Sequence, residues 1–309
     1  MSLLSMIKPN GPTGFGYGTS AEQVTEGLSL AGKTILVTGC NSGIGEEAAR
    51  VFALRGAHVL GCARTLAKAT EACAKLPGKA TPYACELSDP ASVKACVAAV
   101  SADLGAAGTK LDAILCNAGI MALPKLQKAH GVELQFFTNH IGHFILVTGL
   151  LESLAPEGRV VMLSSAAHGA APKGGIEFDN LSGDRGYQGW TAYGQSKFAN
   201  LLFAQELQRR FAGSRRTAYA VHPGVIRTNL TRSMAGVAGL AMALASPLVL
   251  KSVGEGAATG VFAAVHPKAL AFAGQYLADC NGKRPRKDAV DAALAGRLWE
   301  ESEKIVRGL

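Results

Sequence analysis

Charge and aromatic rings are both scarce in this sequence: of 309 residues, 17% are Asp, Glu, Lys or Arg and 6% are Phe, Trp or Tyr. The chain is nevertheless 48% hydrophobic, enough apolar surface to bury a core, which excludes intrinsic disorder. Its 37 glycines follow no fixed period, which excludes collagen-like and low-complexity architectures. None of the seven cysteines (Cys40, Cys62, Cys73, Cys85, Cys96, Cys116, Cys280) belongs to a Cys-x-x-Cys pair or stands at metal-ligand spacing from a His. They read as small buried thiols in a reducing compartment. There is no His-x-x-x-His beside a Glu and no Gly-x-Ser-x-Gly elbow. His140, His143, His168 and His222 are therefore expected in the core or beside a cofactor, with no metal site.

Long apolar runs are missing too. Met1 to Ile7 is too short for the hydrophobic part of a signal peptide, and Lys8 follows it instead of preceding it. The charge-free run Ser233 to Leu250 falls short of the roughly 20 residues a spanning helix needs, and Pro247 interrupts it. A cytoplasmic protein without a membrane span is the expectation. The 31 Lys and Arg exceed the 23 Asp and Glu, giving +8, but they are scattered. The densest group, Lys283-Arg284-Pro285-Arg286-Lys287, has no interleaved aromatic residues for base stacking and reads as a solvated turn, not a nucleic-acid surface.

Residues 1–30, with the Gly/Pro-rich stretch Pro9 to Gly18, read as an N-terminal arm, and residues 31–309 as one domain. Candidate strands are Thr34–Thr38, His58–Cys62, Thr81–Cys85, Ala113–Cys116, Arg159–Leu163 and Thr217–Val221. Helical patterns lie between them near Gly45–Leu54, Leu66–Leu76, Pro90–Val100, Leu134–Leu154 and Ala192–Phe211. Strands apolar on both faces, alternating with helices, predict an α/β fold with a doubly wound parallel sheet. Such sheets place ligands beyond the carboxyl ends of their strands.

The first strand runs into Thr38-Gly39-Cys40-Asn41-Ser42-Gly43-Ile44-Gly45 and then a helix. One glycine permits the tight turn, one lets backbone amides approach a pyrophosphate, and one lets the helix pack closely on the sheet; this is the Rossmann dinucleotide logic. The helix N-terminus adds free N–H groups and a partial positive charge. Glycines are so numerous that the spacing alone is weak, and its position between strand and helix carries the reading. Gly14-Phe-Gly16-Tyr-Gly18 lacks that context. About 20 residues on, an acid would accept hydrogen bonds from a ribose hydroxyl. The sequence instead has Gly61-Cys62-Ala63-Arg64, so a guanidinium faces the position of a ribose phosphate and NADP(H) is the expected cofactor.

Tyr193 and Lys197 are four apart at the start of a helical pattern and share a face. A neighbouring ammonium favours the phenolate and would make Tyr193 usable as a general acid/base. In order along the chain stand the glycine turn, Cys116-Asn117-Ala118-Gly119 after strand four, Ser164-Ser165 after strand five, and Tyr193/Lys197. From about Leu30 to Tyr276 this arrangement resembles the short-chain dehydrogenase/reductase family. Asn139-His-Ile-Gly-His143, Val221-His-Pro-Gly224 and a Gly-rich insertion between Ser165 and Tyr193 are similar to its retinol-dehydrogenase-like branch, which includes the WW-domain oxidoreductases.

The resemblance implies Tyr193 as proton donor or acceptor and Lys197 as the residue that lowers its pKa and holds the nicotinamide ribose. It implies Ser165 as the hydroxyl orienting the carbonyl and Asn139 as the residue holding a relay water. Adjacent strand residues face opposite sides, so only one of Ser164 and Ser165 faces the site, and Ser165 is chosen on the resemblance. The implied cofactor contacts are Gly39, Asn41, Ser42, Gly43, Ile44, Gly45, Arg64, Glu86, Leu87, Asn117, Ala118, Gly119, Pro223, Gly224, Ile226 and Thr228, besides Tyr193 and Lys197. Glu86 stands where the family more often has Asp. The apolar stretch at about 229–253, with Met234, Leu240, Met242, Leu244, Leu248 and Leu250, reads as a substrate loop. Hydride exchange between NADP(H) and a hydrophobic carbonyl or alcohol is the expected activity. A carbon–carbon double-bond reductase of protochlorophyllide-reductase type and an NADP(H)-binding regulatory protein are the alternatives. The sequence leaves a homo-oligomer open.

Overall fold

Thr34–Thr38, with all five residues buried, is the central strand β1 of the structure, a computed structural model that describes residues 8–226 and 250–309. Around it stand β2 (His58–Ala63), β3 (Ala80–Ala84), β4 (Leu111–Cys116), β5 (Leu154–Leu163), β6 (Thr217–His222), β7 (Tyr276–Ala278) and β8 (Asn281–Gly282). Their order is β8-β7-β6-β5-β4-β1-β2-β3, and every neighbouring pair is parallel except β7 and β8. The chain winds outward from β1 in one direction and then from β4 in the other, so the doubly wound parallel sheet expected from the sequence is what forms.

The helices are α1 (Ala21–Val24), α2 (Gly43–Leu54), α3 (Leu66–Ala74), α4 (Pro90–Ala107), α5 (Leu134–Phe136), α6 (Gly142–Gly149), α7 (Gly189–Arg210), α8 (Val253–Val265) and α9 (Ala292–Arg307). Local chemistry sets their ends. The Thr65 hydroxyl accepts from the Lys68 N–H to open α3; Asp89 caps α4, with Pro90 at its first position and left-handed Gly108 closing it; Ser252 and Glu255 form a capping box on α8. Alternation along the strands splits the core in two. Leu36, Ile114 and Val160 face a layer with Phe136, Phe144, Phe198 and Phe203. Ile35, Val37, Leu115 and Val161 face one with Phe52, Val261 and Phe262.

The structure departs from the sequence reading in two places. The helix expected over Leu134–Leu154 is broken into α5, a π-helical turn Phe137–Ile141 and α6, and β5 already begins at Leu154. Neither β7 and β8 nor α8 and α9 were expected as elements. The arm is also firmly seated: Thr13 donates its N–H and hydroxyl to Asn281 Oδ1 (3.2 and 3.1 Å), Asn281 Nδ2 donates to Phe15 O at 3.0 Å, and Phe15 packs edge-on against Phe262. Ala21 and Val24 of α1 are buried in the second core layer. Residues 8–30 therefore pack as part of the domain.

Of the substrate-loop stretch, only 250–253 lie among the described residues; Met234 to Leu248 lie outside them. Its borders are side by side, since the Lys251 N–H donates to Val225 O at 2.9 Å and Ile226 pairs with Lys251 in parallel register. Among the described residues no helix is long and apolar enough to cross a membrane, and no cluster of three or more His, Cys, Asp or Glu side chains could hold a metal ion. All seven cysteines are buried and unpaired by disulfides.

Candidate active site

The carboxyl ends of β1, β4, β5 and β6 come together, and the chemistry-bearing residues follow them. Beyond β1, Gly39 and Gly43 adopt positive φ (+68° and +56°), a region costly for any side chain. A Cβ on Gly45 would lie 2.2 Å from Gly39 O and 2.4 Å from Asn117 Nδ2, so only glycine lets α2 approach the turn this closely. Ser42 precedes α2 without capping it through its side chain, which leaves first-turn N–H groups directed outward. This is the turn that the sequence reading takes as a cradle for an anion, and Asn41, Ser42 and Ile44 lie within it.

Asn117 fastens the cradle to β4. Its Nδ2 donates to Thr38 O at 3.0 Å, and the N–H groups of Asn117 and Ala118 donate to Thr38 Oγ1 at 3.0 Å. That hydroxyl also meets His143 Nε2 at 2.9 Å, while His143 Nδ1 lies 2.9 Å from Asn139 O. A carbonyl only accepts, so Nδ1 carries the proton and Nε2 accepts from Thr38. Burial pushes the His143 pKa down to about 4, keeping the ring neutral and this chain of bonds intact. The expectation that His140 and His143 are core residues holds, since both are fully buried.

Asn139 sits in the π-helical turn and is fully buried. Its Oδ1 accepts from Ile120 N (2.8 Å), and its Nδ2 donates to Ile120 O (2.9 Å) and Ser196 Oγ (2.9 Å). Both amide protons are thus committed to holding the loop after β4 against α7. A Cβ on Gly119 would stand 2.8 Å from Asn139 Oδ1 and 3.3 Å from Lys197 Nζ, so glycine lets the loop after β4 pass this close to both groups.

α7 carries Tyr193 and Lys197, both buried. Lys197 Nζ donates to Leu163 O at 3.0 Å and lies 5.7 Å from the centre of the Tyr193 ring. Burial brings the Lys197 pKa down to about 8. For Tyr193, burial raises the pKa to about 12, while a hydrogen bond with Ser165 draws it the other way. Desolvation is the larger effect on the phenol. The two serines separate cleanly. Ser164 is buried and its hydroxyl donates to Lys197 O at 2.7 Å, whereas Ser165 is half-buried and its hydroxyl accepts from the Ala167 N–H at 3.1 Å.

Two histidines brace the segment carrying Ser165. His168 Nε2 accepts from Arg286 N at 3.2 Å, so its Nδ1 donates to Ser165 O at 2.6 Å; His222 Nδ1 accepts from Ala166 N at 3.2 Å. Arg286 also donates to Ala171 O and Pro172 O at 2.7 and 2.8 Å. The basic group read as a solvated turn therefore contains a structural staple. Of the other expected contacts, Arg64 is exposed directly beyond β2, and Glu86 Oε1 is held in its own turn by the Ser88 N–H and hydroxyl. Leu87 and Ile226 are buried and pack against Gly142 and Gly256. Gly224 (φ +93°) lies against Lys251, with Pro223 before it, and Thr228 falls outside the described residues.

This arrangement has close counterparts. The chain is 38% identical to short-chain dehydrogenase TIC 32 A, chloroplastic, of Brassica napus (97% of this chain, 96% of that one) and 36% identical to retinol dehydrogenase 12 of Mus musculus (91% and 89%). Among solved structures it superposes on an uncharacterized protein from Mycobacterium paratuberculosis with TM-score 0.71 and 34% identity, covering 90% of this chain and 95% of the other. It superposes on a blue fluorescent protein from a metagenomic library, in complex with NADPH, with TM-score 0.64 and 25% identity (81% and 97%). The family description "short chain dehydrogenase" matches residues 33–236, which span β1 through β6 and hold the cradle, Asn139, Ser165, Tyr193 and Lys197. With the sheet order, the glycine turn and the α7 pair all inside that stretch, the chain belongs to the short-chain dehydrogenase family of oxidoreductases.

Proposed function

We propose that the protein is an NADP(H)-dependent oxidoreductase that interconverts a carbonyl and an alcohol on a hydrophobic small molecule. The observation that carries this reading is the buried Tyr193 on α7, with Lys197 Nζ 5.7 Å from its ring centre, at the strand ends beside the glycine turn. The residues present fit a dinucleotide: positive-φ glycines and uncapped N–H groups suit its phosphates, and Arg64 suits a ribose phosphate. The NADPH complex of the metagenomic relative supports the same choice. When bound, the nicotinamide supplies or takes up the hydride.

The chain's own residues handle the oxygen and its proton. Ser165 and Tyr193 hydrogen-bond the substrate oxygen where negative charge develops. A phenol with a pKa near 12 is protonated at neutral pH and gives its proton to an alkoxide, which suits the reductive direction. Lys197 steadies the phenolate left behind, and a water held at Asn139 restores its proton. The test is a panel of carbonyls with NADPH, and of alcohols with NADP⁺, followed at the NADPH absorbance band. Turnover of apolar carbonyls is the expected result; tight NADPH binding with no turnover across the panel overturns the reading.

A further inference from the structure

We propose that Trp190 is a specificity-determining residue of this site, a preset aromatic wall that selects substrates carrying a flat, apolar ring system next to the reacting carbonyl or alcohol. The proposal rests on the oxidoreductase reading above and adds the substrate class. The sequence has two tryptophans, and they are used differently. Trp299 is 6% exposed in the core, while Trp190 is 40% exposed on the first turn of α7.

Trp190 precedes Tyr193 by three residues, so helical geometry puts the two rings on one face. Their centres are 6.0 Å apart with planes at 79°, an edge-to-face pair. One flank of the indole is thereby fixed against the reacting phenol and the remainder is open. A single exposed apolar side chain needs no explanation by itself; what distinguishes Trp190 is how rigidly its backbone is held. Gln135, fully buried, donates through Nε2 to Gly189 O (3.2 Å) and to the Tyr187 hydroxyl (3.1 Å), and that hydroxyl donates to Leu123 O (2.8 Å). A Cβ on Gly189 would sit 2.4 Å from Leu123 O, so the chain passes the loop after β4 at the closest distance glycine permits. Gln188 caps the helix by accepting from the Thr191 N–H at 2.5 Å. The far end of that loop, Ile120, is clamped by Asn139.

The backbone that carries Trp190 is therefore held by two independent anchors, and the indole packs on Tyr193 without a substrate present. Met121 and Leu123, both half-buried, lie on the same anchored loop. A two-ring carbonyl whose oxygen meets the Tyr193 hydroxyl is long enough for its far ring to come within aromatic contact of the indole, about 4.5–7 Å between centres. A short aliphatic carbonyl reaches the hydroxyl without touching the indole.

The experiment compares 2-naphthaldehyde with butanal as substrates for the NADPH-loaded wild type, Trp190→Phe and Trp190→Ala. For Trp190→Ala, kcat/KM for 2-naphthaldehyde is expected to fall about tenfold or more, mainly through KM, while butanal and NADPH parameters stay within about twofold. Trp190→Phe should keep the naphthaldehyde value within about threefold, since a ring remains. Equal losses for both aldehydes, no loss for either, or a Phe variant as poor as Ala overturns the proposal, as does a changed oligomeric state without changed selectivity. If the wild type reduces neither aldehyde, the parent reading is decided by the wider panel and Trp190 is judged by equilibrium dialysis of 2-naphthaldehyde against the NADPH-loaded proteins. Weaker binding to Trp190→Ala than to wild type then supports the wall, and equal or absent binding rejects it.

Discussion

Burial dominates both Tyr193 and Lys197: the phenol is raised to about 12 and the ammonium lowered to about 8. Removing the proton in Tyr193→Phe is expected to cut turnover by about 10²-fold or more with NADPH affinity retained, read by steady-state kinetics and a cofactor titration. Near-normal turnover would take Tyr193 out of the chemistry. Lys197 has a depressed pKa, so its charge is present below about 8 and lost as pH rises through that value. The rate of carbonyl reduction should therefore decline above about pH 8, and a kcat profile flat through that region would show that the ammonium is not needed. Arg64 forms no hydrogen bond or ion pair among the described residues, which leaves its guanidinium free for a ligand. Arg64→Asp is expected to move preference toward NADH; an unchanged ratio of the two kcat/KM values would remove it from cofactor choice. The Tyr193/Lys197 spacing, the glycine turn and Arg64 are legible in sequence because each is local. The clamp of Asn139 on Ile120 and the anchoring of Trp190 through Gln135 join residues about 20 to 50 positions apart, and no local spacing encodes such contacts.

Among elements, β2 and α3 meet over a glycine. A Cβ on Gly61 would lie 2.5 Å from Cys73 Sγ and 3.1 Å from Cys40 Sγ, both buried. Gly61→Ala is expected to lower stability by about 1–3 kcal/mol in denaturant or thermal unfolding. The double variant with Cys73→Ala should recover part of that loss, because the overlapping sulfur is gone. A Gly61→Ala protein as stable as wild type would mean that α3 yields easily. The parallel strands were readable because they are apolar on both faces, and α2, α4 and α7 because their starts and periods are strong. The break at Phe137–Ile141 was not, since a π turn and an α turn bury nearly the same residues and differ by one residue per turn. Its effect is on function: Asn139 and His143 are carried in and just after it, each with a bond to a different strand end. β7 has only three residues, and α8 is built largely from Ala and Gly, so neither shows a clear period.

Across the whole molecule, α9 covers the outer side of α6 and α7 and is tied to the site. Trp299 stacks on Phe203 (5.6 Å between ring centres), meets Phe144 edge-on (5.0 Å) and carries the Arg210 guanidinium over its face (4.0 Å). Ser302 lies 2.8 Å from Nε2 of His140, the neighbour of Asn139. Trp299→Ala should cost about 3–5 kcal/mol, with structure and activity lost at the same reduced temperature. Loss of α9 helicity well before activity would show the helix to be an independent appendage. The border of residues 227–249 has a different consequence. The chain leaves at Val225–Ile226 and returns at Lys251 across one hydrogen bond and a paired backbone step. Closing that gap costs little more for a long insert than for a short one. A stretch of foreign length and composition can therefore be exchanged at this point while the sheet and its packed helices stay as they are.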